Sequence, residues 1–262
     1  MQNSEDLNER REYKYLLPER LVPYVRAAAQ SVCRRDPYAG PDGLYTIRSL
    51  YLDTDRLQLF WANERELGDR VKVRIRSYPQ ASAQTPVFLE VKRRMLDVIA
   101  KSRGSVPPQL WQTLLAQPEQ LAFSGIPKKA QLACERFLSL VHTWHLEPKV
   151  LVEYDREAYI SEVDEYARLT FDLHIRSQRT DRMALEADPD AWRPVDHPLF
   201  TRTQEPMTLL ELKFAGPPPR WMFRMVQRLE LQRHTFSKYG YSIQEQLGLP
   251  EQRVALTPTW EE

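Results

Sequence analysis

The segment Arg70-Val-Lys-Val-Arg-Ile-Arg76 sets four cations at alternate positions. In an extended chain successive side chains point to opposite faces, so Arg70, Lys72, Arg74 and Arg76 share one face and Val71, Val73 and Ile75 the other. Four like charges in a row repel one another unless anions lie among them. The chemistry such a row suits is the grip on a polyanion: Arg for bidentate contacts to phosphate oxygens, Lys as a compact point charge. The alternation recurs along the chain. Glu90 and Lys92 stand opposite Leu89 and Val91; Glu211 and Lys213 alternate with Leu210, Leu212 and Phe214. Arg168, Thr170, Asp172, His174 and Arg176 alternate with Leu169, Phe171, Leu173 and Ile175, and Glu12 and Lys14 alternate with Arg11, Tyr13 and Tyr15. A single strand of this kind reads equally well as the wet face of a half-exposed sheet. Its repetition predicts an ionic interior, and a wide β-barrel, closed or nearly so, can hold one when its apolar outer face is packed under helices. The expected fold class is α+β, built on an antiparallel barrel lined with charge.

Helical periodicity predicts those covering elements over Pro18 to Arg34, Asp53 to Leu67, Pro107 to Gln117, Lys128 to His145 and Pro219 to Leu231. Ala81 to Pro86 reads as a hairpin loop, and Ser177 to Met207 as a long connection with one helical turn around Pro189 to Trp192. A chain of 262 residues without internal repeats is expected to form one domain, residues 1–262. Its 37 Lys and Arg against 36 Asp and Glu leave a net charge of +1, which argues against a generic basic surface for nucleic acid. Any polyanion site must come from segregation of charge within the fold. No apolar run reaches the roughly 20 residues of a membrane span, and MQNSEDLNERRE lacks the apolar core of a signal peptide, so a cytoplasmic location is expected. Cys33 and Cys134, both in predicted helices, have no metal-ligand spacing.

In order along the chain, Arg11-Glu-Tyr-Lys14, Ser49-Leu-Tyr-Leu-Asp-Thr54, Lys72-Val-Arg-Ile-Arg76, Phe88-Leu-Glu-Val-Lys92, Lys101-Ser-Arg103, Tyr154-Asp-Arg-Glu-Ala158, Arg168-Leu-Thr-Phe-Asp172, Leu210-Glu-Leu-Lys213 and Phe236-Ser-Lys-Tyr-Gly240 resemble the polyphosphate polymerase domain of the vacuolar transporter chaperone family. That family is a branch of the triphosphate tunnel metalloenzymes. The resemblance implies an eight-stranded tunnel that grips ATP and a growing polyphosphate chain, with a divalent metal, manganese or magnesium, at the transferring group. It implies Lys14, Arg74, Arg76, Lys92, Lys101, Arg156, Arg168, Lys213 and Lys238 as phosphate ligands, with Lys72, Arg48 and Arg103 as additions, and Glu211, joined by Glu90, for the metal. The superfamily's first strand carries Glu-x-Glu-x-Lys, whereas this chain has Arg10-Arg-Glu-Tyr-Lys14, so one metal-binding carboxylate is missing. That departure suits the polymerase branch better than a tripolyphosphatase or adenylate cyclase. The membrane helices of eukaryotic relatives are also missing, which leaves a membrane-bound partner, and the oligomeric state, open.

Phosphoryl transfer needs positioning and charge stabilisation more than a protein nucleophile, so a constellation of cations around one metal-binding carboxylate suffices for it. The expected reaction transfers the terminal phosphate of ATP to polyphosphate. Two alternatives stay open: a module that binds polyphosphate without turnover, and a hydrolase of tripolyphosphate or nucleoside triphosphates. The remaining motifs are weaker. His142 and His145 lack partner ligands, His174 extends an ionic row only if its strand runs that far, and Tyr239 and Tyr241 read as core. Strict alternation groups Arg156 with Val152 and Tyr154, so an inward Arg156 requires a bulge or a strand buried on both faces.

Overall fold

The computed structural model describes residues 10–248 apart from 97, 165 and 202. Residues 1–9 and 249–262 of the expected domain lie outside the described residues. The strands are β1 (Arg10–Pro18), β2 (Cys33–Arg35), β3 (Leu44–Asp53), β4 (Asp69–Ser77), β5 (Val87–Met95), β6 (Val98–Val106), β7 (Glu147–Ser161), β8 (Ala167–Arg179), β9 (Arg193–Pro194) and β10 (Met207–Ala215). The helices are α1 (Val22–Gln30), α2 (Gln58–Glu64), α3 (Trp111–Ala116), α4 (Lys128–Thr143), α5 (Pro198–Thr201), α6 (Arg220–Arg228) and α7 (Lys238–Leu247).

Eight strands form one antiparallel path, β1-β10-β8-β7-β3-β4-β5-β6, with β2 added on β7 and β9 on β8. The fold is α+β with the expected number of principal strands, but among the described residues the sheet is not closed, since β1 and β6 end the path without pairing to each other. Part of the free edge of β1 is taken by another segment: Tyr15 bridges to Arg233, and His234 N–H donates to the Lys14 carbonyl at 2.8 Å.

The alternating pattern gives the sheet two different faces. On the outer face Leu50, Leu52, Val73, Ile75, Leu89 and Val106 pack against Trp111 and Leu114 of α3 and Phe137 and Val141 of α4. Gly104 lets α4 press onto β6, since a Cβ there would lie 2.4 Å from Cys134 Sγ. Further round, Leu17, Leu169, Phe171, Leu212 and Phe214 pack under Val25 of α1 and Met222 and Met225 of α6. A third apolar cluster lies on the inner face, where Tyr51, Val152, Tyr154, Ile175 and Leu209 meet Phe60 of α2 and Tyr239, Tyr241 and Ile243 of α7.

Several expected boundaries move. The first predicted helix breaks into a 3-10 turn at Glu19–Leu21 and α1, and Cys33 lies not in a helix but on β2, paired with Ser161. The helix expected from Asp53 starts later, at Gln58. A 3-10 turn at Pro189–Ala191 occupies the expected position in the connection after β8, joined by β9 and α5. α7 is an addition to the expected helices; every residue from Lys238 to Gln244 is buried, the polar Lys238, Ser242 and Gln244 among them. Its start carries a signal: Ser237 Oγ accepts from Gly240 N–H at 3.0 Å, an N-cap bond.

Asp53, fully buried at the end of β3, ties the two ends of this inner cluster together. Its Oδ1 accepts from Leu59 N–H at 2.9 Å, and its Oδ2 accepts from Phe60 N–H at 2.8 Å and from the Tyr239 hydroxyl at 2.5 Å. Burial raises the Asp53 pKa, and these donors pull against that rise. Replacing Asp53 with Ala strands several donors at once and should destabilise the protein by about 3 kcal/mol, whereas Tyr239→Phe, which removes one bond, should cost about 1 kcal/mol. Urea denaturation of the three proteins checks the ranking; equal midpoints would show that α7 is not held through Asp53.

Candidate functional site

The inner face of the sheet encloses a cavity of about 2350 Å³. Lys14, Lys72, Arg76, Lys92, Lys101, Arg103, Arg156, Arg168 and Lys213 all line it, together with Arg70, so the strand rows read as inward-facing converge. Arg74 and Lys238 lie deeper, joined to the lining through shared carboxylates.

One set of these shared contacts is centred on Glu211 and Asp172. Glu211 lies 2.7 Å from Lys213 Nζ, 3.4 Å from Lys238 Nζ, 3.8 Å from Lys14 Nζ and 3.4 Å from Arg156 Nη2. Asp172, wholly buried, receives a two-pronged contact from Arg156 at 2.6 and 2.8 Å and meets Lys238 at 2.5 Å. Burial alone would push Glu211 up, but Lys213, Lys238, Lys14 and Arg156 together hold it well below the usual carboxylate range. Asp172 is likewise lowered, with Arg156 and Lys238 outweighing its burial. Both are therefore anions at neutral pH.

Glu90 anchors a second cluster. Arg74 Nε donates to it at 2.6 Å, and Arg103 and Arg76 approach to 3.3 and 3.7 Å. Despite burial, Arg74 and Arg76 bring its pKa down to about 2. Arg74, Arg76 and Arg103 surround Glu90, which acts as their counter-ion; among the described residues it joins no group of three or more His, Cys, Asp or Glu that would make it a metal ligand beside Glu211. Arg74 also donates to the Tyr51 hydroxyl at 2.9 Å, and the Tyr51 ring stacks on Tyr239 at 5.0 Å, which links this cluster to α7.

The remaining cations outnumber local acids. Lys72 is bonded to Ser237 Oγ at 2.9 Å. Enclosure by the cavity walls, with Lys14, Lys92 and Arg74 nearby and only Glu64 opposing, lowers its pKa to about 7. Lys101 is lowered to about 8 by enclosure and by Arg74 and Arg76, against the pull of Glu90, and Lys92 is lowered chiefly by enclosure. Each of these ammonium groups is enclosed among other cations, so negative charge brought close to them would raise their pKa values again.

Arg48, an expected ligand, and His174, a weaker candidate, lie elsewhere. Arg48 lies on the outer face, where it donates to Glu153 Oε2 at 2.6 Å and to the Leu185 carbonyl at 2.9 Å, beside Trp192. The reason is β3's own alternation, which gives the inner face to Ile47, Ser49 and Tyr51. His174 is also outside the cavity, paired with Asp155 at 3.0 Å and largely exposed. It sits at a bulge: β7 advances from Glu153 to Asp155 while β8 advances from Arg176 to Leu173, and His174 takes the left-handed φ of 51°. The bulge reverses the alternation, turning Ile175 inward and Arg176 outward onto Glu153. Arg156 does point inward, and β7 achieves this by burying both faces: Val152 and Tyr154 share the inner face with it beneath α7.

His142 and His145 are exposed at the end of α4, and among the described residues no group of three or more His, Cys, Asp or Glu stands together as a metal site. Sequence reasoning missed Tyr51 and Ser237 as partners of the cations. Tyr51 lay in view, on the same face as Ser49, but its strand lacked an ionic row to mark that face as inner.

The profile of the VTC domain matches residues 9–246. Comparison with curated proteins gave no match. Among solved structures, a proposed adenylyl cyclase from Hippeastrum, described by its dominant triphosphatase activity, superposes with a TM-score of 0.50 at 13% identity, covering 90% of this chain and 95% of that one. A candidate adenylate cyclase from Bacillus halodurans gives 0.43 at 14% identity, with 96% and 93% covered, and a protein from Pyrococcus horikoshii gives 0.44 at 9%, with 90% and 96% covered. The Hippeastrum likeness extends to the fold alone. The profile match spans nearly all of the described residues, including every strand that lines the cavity, and the chain belongs to the VTC-domain family.

Proposed function

We infer that the chain is a polyphosphate polymerase, which binds ATP and inorganic polyphosphate in the cavity and transfers the terminal phosphate of ATP to the chain end. The observation that carries this reading is the surplus of cations on the inner face beyond what Glu12, Glu90, Asp172 and Glu211 neutralise, in a chain that matches the VTC domain throughout this region. A linear chain of phosphates supplies the missing negative charge along its length, as no single carboxylate can. Arg76 and Arg156 would fork onto phosphate oxygens, while Lys14, Lys72, Lys92, Lys101 and Lys213 would neutralise charge developing on the leaving diphosphate. Arg74 and Lys238, buried against Glu90 and Asp172, hold the carboxylates and fix the positions of their neighbours.

The fold family implies a divalent ion. Glu12 lines the cavity, Glu211 lies beneath its lining on the same face of the neighbouring strand, and Glu12 feels the charge of Glu211. Two carboxylates are what Mg²⁺ or Mn²⁺ takes from protein when water and substrate phosphates complete its shell, so the residues fit an ion that arrives with the nucleotide. Such an ion supplies Lewis-acid polarisation of the transferring phosphoryl group. Glu211 would hold it and, in the same position, limits the repulsion among Lys14, Lys213, Lys238 and Arg156.

Tripolyphosphate should raise the melting temperature far more than monophosphate, with a gain of about 2.7 kcal/mol at a hundredfold excess over its dissociation constant. The effect should fade as salt is raised. Differential scanning fluorimetry tests both, and an unchanged melt at low salt would refute a polyanion cavity. A pH dependence follows from Lys72 and Lys101, whose pKa values of about 7 and 8 in the empty cavity rise when an anion arrives. Binding then takes up protons, so tripolyphosphate affinity should fall as pH rises from about 6 to 9. Lys72→Met should flatten that slope, while the ligand's own titration stays common to both proteins; parallel slopes in titration calorimetry would exclude Lys72.

Glu211→Gln should reduce ATP-dependent polyphosphate synthesis by about 100-fold or more. Binding of tripolyphosphate without metal should survive or tighten, because the four surrounding cations lose their shared anion. Arg76→Ala should weaken binding and turnover together. Incubating the wild type with ATP and manganese or magnesium separates the readings: long polyphosphate supports the polymerase, free phosphate a hydrolase, and neither product alongside tight binding a binding module.

A further inference from the structure

One end of the cavity is aromatic, and the phosphate chemistry makes no use of it. Tyr45, Tyr78 and Phe88 line the cavity where β3 begins, β4 has just ended and β5 begins. Their rings are in mutual contact: Tyr45 and Tyr78 at 6.1 Å, Tyr78 and Phe88 edge to face at 5.9 Å. None is fully buried, so the cluster keeps ring surface open to the cavity. Arg103 lies over the Phe88 ring at 3.7 Å from its centre and donates to the Tyr78 hydroxyl at 3.2 Å. The rings are set beside the phosphate-binding cations by the strand register. Tyr45 is the direct cross-strand partner of Arg156, and Phe88 that of Arg76. Such partners stand with Cβ atoms about 5 Å apart on one face.

An inorganic polyphosphate has no use for aromatic rings, whereas a nucleoside triphosphate carries a planar base at one end, separated from its phosphates by a sugar. We propose that Tyr45, Tyr78 and Phe88, with the Arg103 guanidinium, form the subsite for the nucleobase, so that the nucleotide enters base-last with its phosphates running inward past Arg76 and Arg156. Rings and a planar guanidinium present faces on which a base stacks. The subsite gives the nucleotide a direction: its base lies at the rings and its phosphates run from there past Arg76 and Arg156, the latter held by Asp172. Stacking reads no base edge, so ATP and GTP should bind alike.

This proposal rests on the nucleotide-binding reading above, and its test uses two ligands to separate the two. The dissociation constants of ATP and of inorganic tripolyphosphate are measured by calorimetry, without metal, on the full chain as wild type, Tyr78→Leu and Phe88→Leu. The expected result is a loss of about 10-fold or more in ATP affinity in either variant, with tripolyphosphate affinity unchanged within about 2-fold, which also certifies that the variants are folded. Unchanged ATP affinity in both variants overturns the nucleobase subsite alone, as does an equal loss for both ligands. Failure of the wild type to bind either ligand overturns the subsite and the polyphosphate reading together.

Discussion

The structure depends on holding like charges close together away from bulk water. Lys72, Arg74, Arg76, Lys92 and Lys101 come from three neighbouring strands, and their mutual repulsion opposes folding of the empty protein. Two arrangements limit that cost. Glu211 with Asp172, and Glu90 separately, are each shared among several cations, so a few buried carboxylates serve many partners. The rest of the strain is left as lowered lysine pKa values, a charge deficit that an incoming anion removes. The charge deficit that burdens the fold is thus the same one that suits its inner face to an anion.

Rigidity must come from elsewhere, since an ionic cavity cannot pack itself. It comes from the outer face, where α1, α3, α4 and α6 cover the apolar side of the strands, and from α7, which fills part of the inner face. The route from core to site is continuous: Asp53 holds Tyr239, Tyr239 stacks on Tyr51, and Tyr51 accepts from Arg74. Ser237 and the Phe236 carbonyl, at the start of α7, receive Lys72 and Lys14. One helix therefore fixes cations from two separate parts of the sheet and sets how deep the cavity runs on that side. A side chain held at both ends in this way loses little further freedom when a phosphate binds, which favours affinity.

The ionic rows of β1, β4, β5, β8 and β10 were legible in the sequence because a strand's period of two sorts charge and hydrocarbon onto opposite faces without reference to any neighbour. The helices over the outer face were legible for the corresponding reason, an apolar stripe opposed to a polar one. Periodicity failed where both sides of an element are covered. α7 is buried from Lys238 to Gln244 with its polar residues included, and β7 presents Val152, Tyr154 and Arg156 on one face because the lower part of that face meets α7 and the upper part meets the cavity. Arg48 was assigned inward although β3 gives it to the outer face. With Ile47 and Leu50 both apolar, nothing in that strand's composition says which side is which.

What the sequence determined by itself is thus the separation of charge from hydrocarbon, and with it the existence of an ionic face that must find counter-charge. Only the tertiary structure decided which carboxylate neutralises which cation, since Glu211, Asp172, Lys14 and Lys238 are brought together from four separate segments. It also decided that the sheet stays open between β1 and β6, and that the bulge at His174 turns Arg176 outward. These outcomes depend on distances between segments remote in the chain. Local periodicity carries no information about those distances, because the alternation of side chains constrains direction and not company.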